Sequence, residues 1–215
     1  MDRVANLRHD VMNSLTVILG YSKILVGRRD IPADCLKHID RIQQEALRCQ
    51  KAFDDDKLEF ETAGLRPEPF SEQPVGVAPA SVKVMVVDDD NGIRALATEV
   101  IRTALVDSGL HEGVTVLAAD SISSALEYAA AGRIDAVVID MNVNRPGGGL
   151  VLADRLAEID PGILDRLVFI SGGISDPSTA RSVEQRRLRL LFKPFSNDQL
   201  CSAVGAAIRG QSGSI

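Results

Sequence analysis

The chain has 215 residues, 24 basic against 30 acidic side chains, a formal charge of −6 and 45% apolar residues. That balance excludes a disordered or fibrous chain, and with no long basic run nucleic acid is not an expected partner. No apolar stretch reaches the ~18 residues of a membrane span and no leader segment opens the chain. Cys35, Cys49 and Cys201 lack metal-type spacing, so a cytoplasmic location without membrane insertion is expected.

Residues 1–60 contain a single proline, Pro32, and their apolar residues recur at helical spacing. Val4, Leu7, Val11, Ser14, Ile18, Tyr21 and Leu25 step by three and four, with Leu15 and Leu19 widening the stripe. After a break at Gly27–Pro32 the steps resume through Cys35, Ile39, Ile42, Ala46, Cys49 and Phe53. This pattern predicts a helical hairpin with an apolar seam on each arm. Two helices alone bury too little surface to be stable. A homodimer through residues 1–60, closing a four-helix bundle, is therefore expected. Packing of the hairpin onto its own C-terminal part is the alternative.

Residues 61–81 carry Pro67, Pro69, Pro74 and Pro79 with Gly64 and Gly76, which predicts an extended linker. Beyond it, over 82–210, short Val- and Ile-rich runs predict strands at Val82–Val87, Val114–Ala118, Ala136–Ile139, Leu167–Ile170 and Leu190–Phe192. Helical patterns fall between and after them, at Ile93–Val106, Ser121–Ala131, Gly149–Ile159, Pro177–Arg187 and Ser196–Ile208. Residues 211–215 read as a tail. The fold class is α + α/β: a helical hairpin, then a doubly wound five-stranded parallel sheet. Ligands of such sheets bind at the carboxyl ends of the strands.

Those strand ends carry Asp88-Asp89-Asp90, Asp140-Met141-Asn142, Ser171-Gly172-Gly173 and Lys193-Pro194. Three carboxylates at one edge repel unless a cation compensates, and an oxygen-only donor set suits a hard ion such as Mg²⁺. With an ammonium, a hydroxyl and an aspartate free to attack, the set suits phosphoryl transfer to a carboxylate.

The runs Val84–Asp90, Val137–Asp140, Val168–Gly172 and Leu191–Phe195 resemble the receiver domain of two-component signalling, over about residues 82–209. The resemblance implies a flavodoxin-like fold with Asp140 as phosphoacceptor. It implies Asp88 and Asp89 as Mg²⁺ ligands, with Asp140 and the Asn142 carbonyl completing the set. Ser171 would bind a phosphoryl oxygen, Lys193 would pair with the phosphate, and the bond before Pro194 would be cis. Asp90 is expected to cap the following helix. Two departures stand out: Asn144 takes the place of a proline, predicting a looser loop, and Leu190 takes the place of an aromatic switch residue. Gly172 and Gly173 should leave the pocket open.

On the first helix, His9-Asp10-x-x-Asn13 ahead of an apolar run resembles the phosphoacceptor helix of the dimerisation and histidine-phosphotransfer domain of histidine kinases. An adjacent acid can hold one ring nitrogen while the other attacks phosphorus; Asp10 is so placed, and Asn13 lies one turn on, on the same face. His38 and His111 have no such neighbours and are expected at the surface. The Asn-rich and Asp-x-Gly-x-Gly boxes of an ATP-binding domain are absent, so no autokinase activity is expected. The expected function is a phosphorelay through His9 and Asp140, with a histidine kinase and other receiver or phosphotransfer proteins as partners. A dimeric receiver acting as a phosphorylation-regulated switch or phosphate sink, its hairpin used only for docking, is the alternative. Acceleration of a partner's aspartyl-phosphate hydrolysis by Asp10 and Asn13 is a third.

Overall fold

A computed structural model describes residues 3–55, 81–107, 113–174 and 176–210. The linker expected at 61–81, apart from Ser81, lies outside these residues, as do residues 56–60, His111, the tail 211–215 and the side chains of Val4 and Phe53.

Two long helices come first, α1 (Arg3–Gly27) and α2 (Ala33–Asp55). The α/β body follows as β1 (Val82–Val87), α3 (Asn91–Asp107), β2 (Val114–Ala119), α4 (Ile122–Ala130), β3 (Ala136–Asp140) and α5 (Gly148–Ile159). A 3₁₀ turn at Pro161–Arg166 leads to β4 (Leu167–Ser171), α6 (Pro177–Gln185), β5 (Arg189–Phe192) and α7 (Asn197–Ile208). All five strands are parallel in the order β2-β1-β3-β4-β5. The order reverses between β1 and β3, so the crevice at their carboxyl ends is where a ligand is expected.

Sequence explains the helix starts. Ser121 and Ser196 cap α4 and α7 through capping boxes with Ser124 and Gln199. Asp176 caps α6, with Pro177 in the first turn. Each expected strand is present, several extended by one residue. β3 and β4 are buried throughout, whereas β2 is half-exposed because it forms an edge of the sheet.

Two apolar layers clamp the sheet. Val84, Val86, Val138 and Ile170 meet Leu96, Ile101 and Leu200 on one side; Met85, Ile139 and Phe169 meet Leu152 and Leu156 on the other. The hairpin has a small interior of Met12, Leu15 and Ala46, and its first helix also rests on the α/β body. Tyr21 and Ile24 pack against the layer that contains Leu96. That contact corrects the expected seam: Tyr21 belongs to the face turned to the sheet domain. Among the described residues of the α2 stripe only Ala46 is buried, while Cys35, Ile42 and Cys49 are exposed.

Candidate functional site

Parallel pairing of β1, β3, β4 and β5 brings their carboxyl ends to one edge. Asp88 follows β1, Asp140 ends β3, Ser171 ends β4 and Lys193 follows β5; all four are buried. The Lys193 ammonium donates to Asp140 Oδ1 at 2.9 Å and to Asp88 Oδ2 at 3.2 Å. Its backbone N–H donates to the Ser171 carbonyl at 2.7 Å, and the Lys193–Pro194 bond is cis.

Electrostatics follow from two acids sharing one cation out of water. Burial pushes the Asp88 carboxyl up to about 6; Lys193 works against the rise and the charge of Asp140 adds to it. Burial draws the Lys193 ammonium downward, but Asp88 and Asp140 outweigh it and hold the group above its ordinary value.

The remaining contacts orient the acids. Asp88 Oδ1 accepts the Asp90 N–H at 2.8 Å, and Asp140 Oδ2 accepts the Asn142 N–H at 2.7 Å. Asp89 stands apart, with Oδ2 accepting the Asn144 N–H at 3.2 Å. Two of the three expected carboxylates therefore meet, and among the described residues no three acidic, imidazole or thiol side chains gather around one point. The Asn142 carbonyl accepts the Arg145 N–H at 3.0 Å. The Ser171 hydroxyl is turned into its own loop, donating to the Gly173 carbonyl at 2.9 Å. Asp88, Asp140 and the Asn142 carbonyl are hard oxygen donors, and the two carboxylates share a single ammonium, that of Lys193. Such donors fit a hard divalent cation.

The loop after Asp140 is not loose. Asn144, in left-handed backbone geometry at φ 59°, accepts the Ile122 N–H on Oδ1 at 2.9 Å, as its own N–H reaches Asp89. Hydrogen bonds replace the expected proline in fixing the turn. The glycine run has a steric cause: a Cβ on Gly149 would lie 2.5 Å from the Asp140 carbonyl oxygen. Only glycine lets α5 start this close to Asp140. Leu190, where an aromatic was expected, is half-buried against the core.

At the pocket mouth the first helix comes close: a Cβ on Gly172 would lie 3.9 Å from Cδ2 of the His9 ring, an ordinary contact distance, while one on Gly173 would meet no atom within 4 Å. His9 Nδ1 lies 3.5 Å from Asp10 Oδ1, and His9 Nε2 is buried with no hydrogen-bond partner. One turn on, Asn13 is 3% exposed and donates to Asp90 Oδ2 at 3.2 Å. Asp90 Oδ1 accepts the Ile93 N–H at 3.0 Å, so the residue caps α3 as expected and also holds the hairpin. Burial draws the Asp90 carboxyl upward, but the hydrogen bonds from Ile93 and Asn13 outweigh it and keep it below its ordinary value. An acid directly ahead of a helix was the only sequence signal for Asp90, and it could not reveal the second partner.

A strand-end pair of buried aspartates joined by a buried lysine, on a 2-1-3-4-5 sheet, defines the receiver class of α/β domain. The family model for the response regulator receiver domain matches residues 84–205, and the chain belongs to that family. Its general role is therefore that of a response-regulator component of phosphorelay signalling. No curated protein matches the chain. A response regulator receiver protein from Sinorhizobium medicae WSM419 is 28% identical with a TM-score of 0.44, covering 60% of this chain and 95% of that one. The receiver domain of NtrX from Brucella abortus is 27% identical with a TM-score of 0.46, covering 59% and 98%. A CheY-like receiver domain protein from Methanospirillum hungatei JF-1 is 13% identical with a TM-score of 0.48, covering 60% and 94%. Among the described residues no helix is long and apolar enough to cross a membrane.

Proposed function

We propose that the chain is a phosphorelay protein in which Asp140 accepts a phosphoryl group and His9 exchanges it. A histidine-bearing hairpin (residues 1–60) is joined through residues 61–81 to a receiver (residues 82–210). The observation that carries this reading is the Lys193 ammonium bridging Asp88 and Asp140 at 3.2 and 2.9 Å. It leaves a carboxylate oriented for attack beside a fixed positive charge.

Asp88, Asp140 and the Asn142 carbonyl would hold Mg²⁺, with Asp89 joining them once released from Asn144. The ion would neutralise charge on the phosphoryl oxygens. Ser171, once its hydroxyl leaves Gly173, would donate to a phosphoryl oxygen. On the hairpin, Asp10 would hold the Nδ1 proton of His9 and leave the Nε2 lone pair for phosphorus. Asn13 fixes the helix that carries this ring.

A second copy of the chain is the proposed partner at the hairpin. Ile18 is 40% and Ile42 52% exposed, and they line an open groove with Leu15, His38 and Cys49. Covering that groove would complete a four-helix bundle. A histidine kinase or another phosphotransfer protein is the proposed source of the phosphoryl group. The direct test is labelling with acetyl phosphate and Mg²⁺: Asp140→Ala must abolish receiver labelling, and label persisting on the receiver overturns the site.

A further inference from the structure

Helix α1 approaches the receiver more closely than ordinary side-chain packing allows. A Cβ on Gly20 would lie 2.4 Å from Leu96 Cδ2, so α1 and α3 come together at a residue without a side chain. The relation is reciprocal one turn away, where a Cβ on Gly92 would lie 3.1 Å from Val17 Cγ2. Polar contacts flank this apolar crossing at both ends. Asn13 bonds Asp90 toward the pocket, and at the other end Lys23 pairs with Asp198 while Asn197 donates to the Gly20 carbonyl at 3.4 Å. Such a built contact fixes the rotation and height of α1, and hence where His9 sits.

We infer that α1 is latched onto the receiver of its own chain, so that His9 and Asp140 exchange the phosphoryl group in cis and the latch excludes phosphotransfer helices of other chains. This rests on the phosphorelay reading above and adds to it the route of transfer. His9 Nε2 is buried, unpartnered and adjacent in the ring to the atom facing Gly172. A buried ring nitrogen without a partner is costly, and a phosphoryl group on Asp140 would give it one. In the step, the Nε2 lone pair attacks phosphorus while the bond from phosphorus to the Asp140 oxygen breaks, its pair returning to the carboxylate. The proton stays on Nδ1, facing Asp10. The reverse step restores the acyl phosphate. Twenty-six residues separate Asp55 from Val82, and a tether of that order gives an effective concentration far above that of free partners.

Two measurements on the full chain separate the latch from the exchange. In the first, Cys35, Cys49 and Cys201 are replaced by Ala, Lys23 and Asp198 by Cys, and a short bis-maleimide is added. The latch predicts a cross-link within one chain; a cross-linked dimer as the main product overturns it. In the second, Asp140 is loaded with acetyl phosphate and Mg²⁺, the donor is removed, and label is followed into base-stable phosphohistidine. Transfer in the wild type should be independent of dilution. A loaded His9→Gln chain mixed with an Asp140→Asn chain should transfer at least about tenfold more slowly. Gly20→Leu added to both chains, by overpacking the crossing in each, should raise that rate about tenfold. A mixed pair as fast as the wild type overturns the cis route. Failure of the wild type to label His9 despite the intrachain cross-link overturns the exchange itself and the transfer step with it.

Discussion

Asn13 on the first helix donates to Asp90 Oδ2 at 3.2 Å, and the Asp90 N–H in turn donates to Asp88 Oδ1 at 2.8 Å. The hairpin is thus two hydrogen bonds from an acid that shares Lys193 with Asp140. Because Asp90 also caps α3, the two roles separate by substitution. Asp90→Asn keeps a capping oxygen and should cost little, whereas Asp90→Ala loses both contacts and should cost about 1–2 kcal/mol. Urea denaturation of the two variants measures the difference.

Lys193 is a buried cation facing two buried carboxylates. Lys193→Met should destabilise the fold by about 3–5 kcal/mol, because the acids are left uncompensated. Asp88→Asn added to it should recover part of that stability without restoring Asp140 labelling. Equilibrium unfolding and acetyl phosphate labelling on the same samples distinguish the structural role from the chemical one.

Asp88 also predicts a pH dependence. Its folded carboxyl is raised to about 6, above the unfolded value of 3.8, so in that window the folded state binds more protons. Stability contributed by the protonated group is present below about pH 4 and lost as pH rises toward 6. The stability of the wild type relative to Asp88→Asn, measured without Mg²⁺, should fall by about 2 kcal/mol across this interval. The difference between the two chains removes the opposite trend from acids held low, such as Asp90 and Asp160.

Gly149 should tolerate no side chain. A methyl group aimed at the Asp140 carbonyl from 2.5 Å must push α5 or the loop away, at about 1–3 kcal/mol. Gly149→Ala should lower both the melting temperature and the rate of Asp140 labelling. The control Gly147→Ala meets no atom within 4 Å but sits at φ 69°, so it should cost only the backbone strain, about 1 kcal/mol.

At the hairpin, Ile42→Glu should convert a dimer into a monomer in light scattering without loss of helicity. Ile42 is half-exposed within one chain, so a charge there is costly only where a second copy covers it.

The strands, the helix starts and the strand-end residues were legible because each depends on local pattern: apolar runs, cap residues, and an acid or lysine closing a strand. The division of α1 among its neighbours was not. A single stripe of period near 3.6 shows that a face is apolar, yet α1 meets α2 through Met12 and Leu15, the receiver through Gly20 and Tyr21, and an open groove through Ile18. Tyr21 read as seam for that reason. Gly20 gave no signal, since a glycine required by close approach looks in sequence like any weak point in a helix. The bond from Asn144 to Asp89 was not legible either, because the two lie fifty-five residues apart.

The decisive measurement is time-resolved mapping of labelled phosphorus to individual residues after Asp140 is loaded by acetyl phosphate with Mg²⁺. Label should appear first as acyl phosphate on Asp140 and then as base-stable phosphate on His9, with neither signal in Asp140→Ala. Label settling on any other residue, or reaching His9 unchanged in that variant, would contradict a relay built on this pocket.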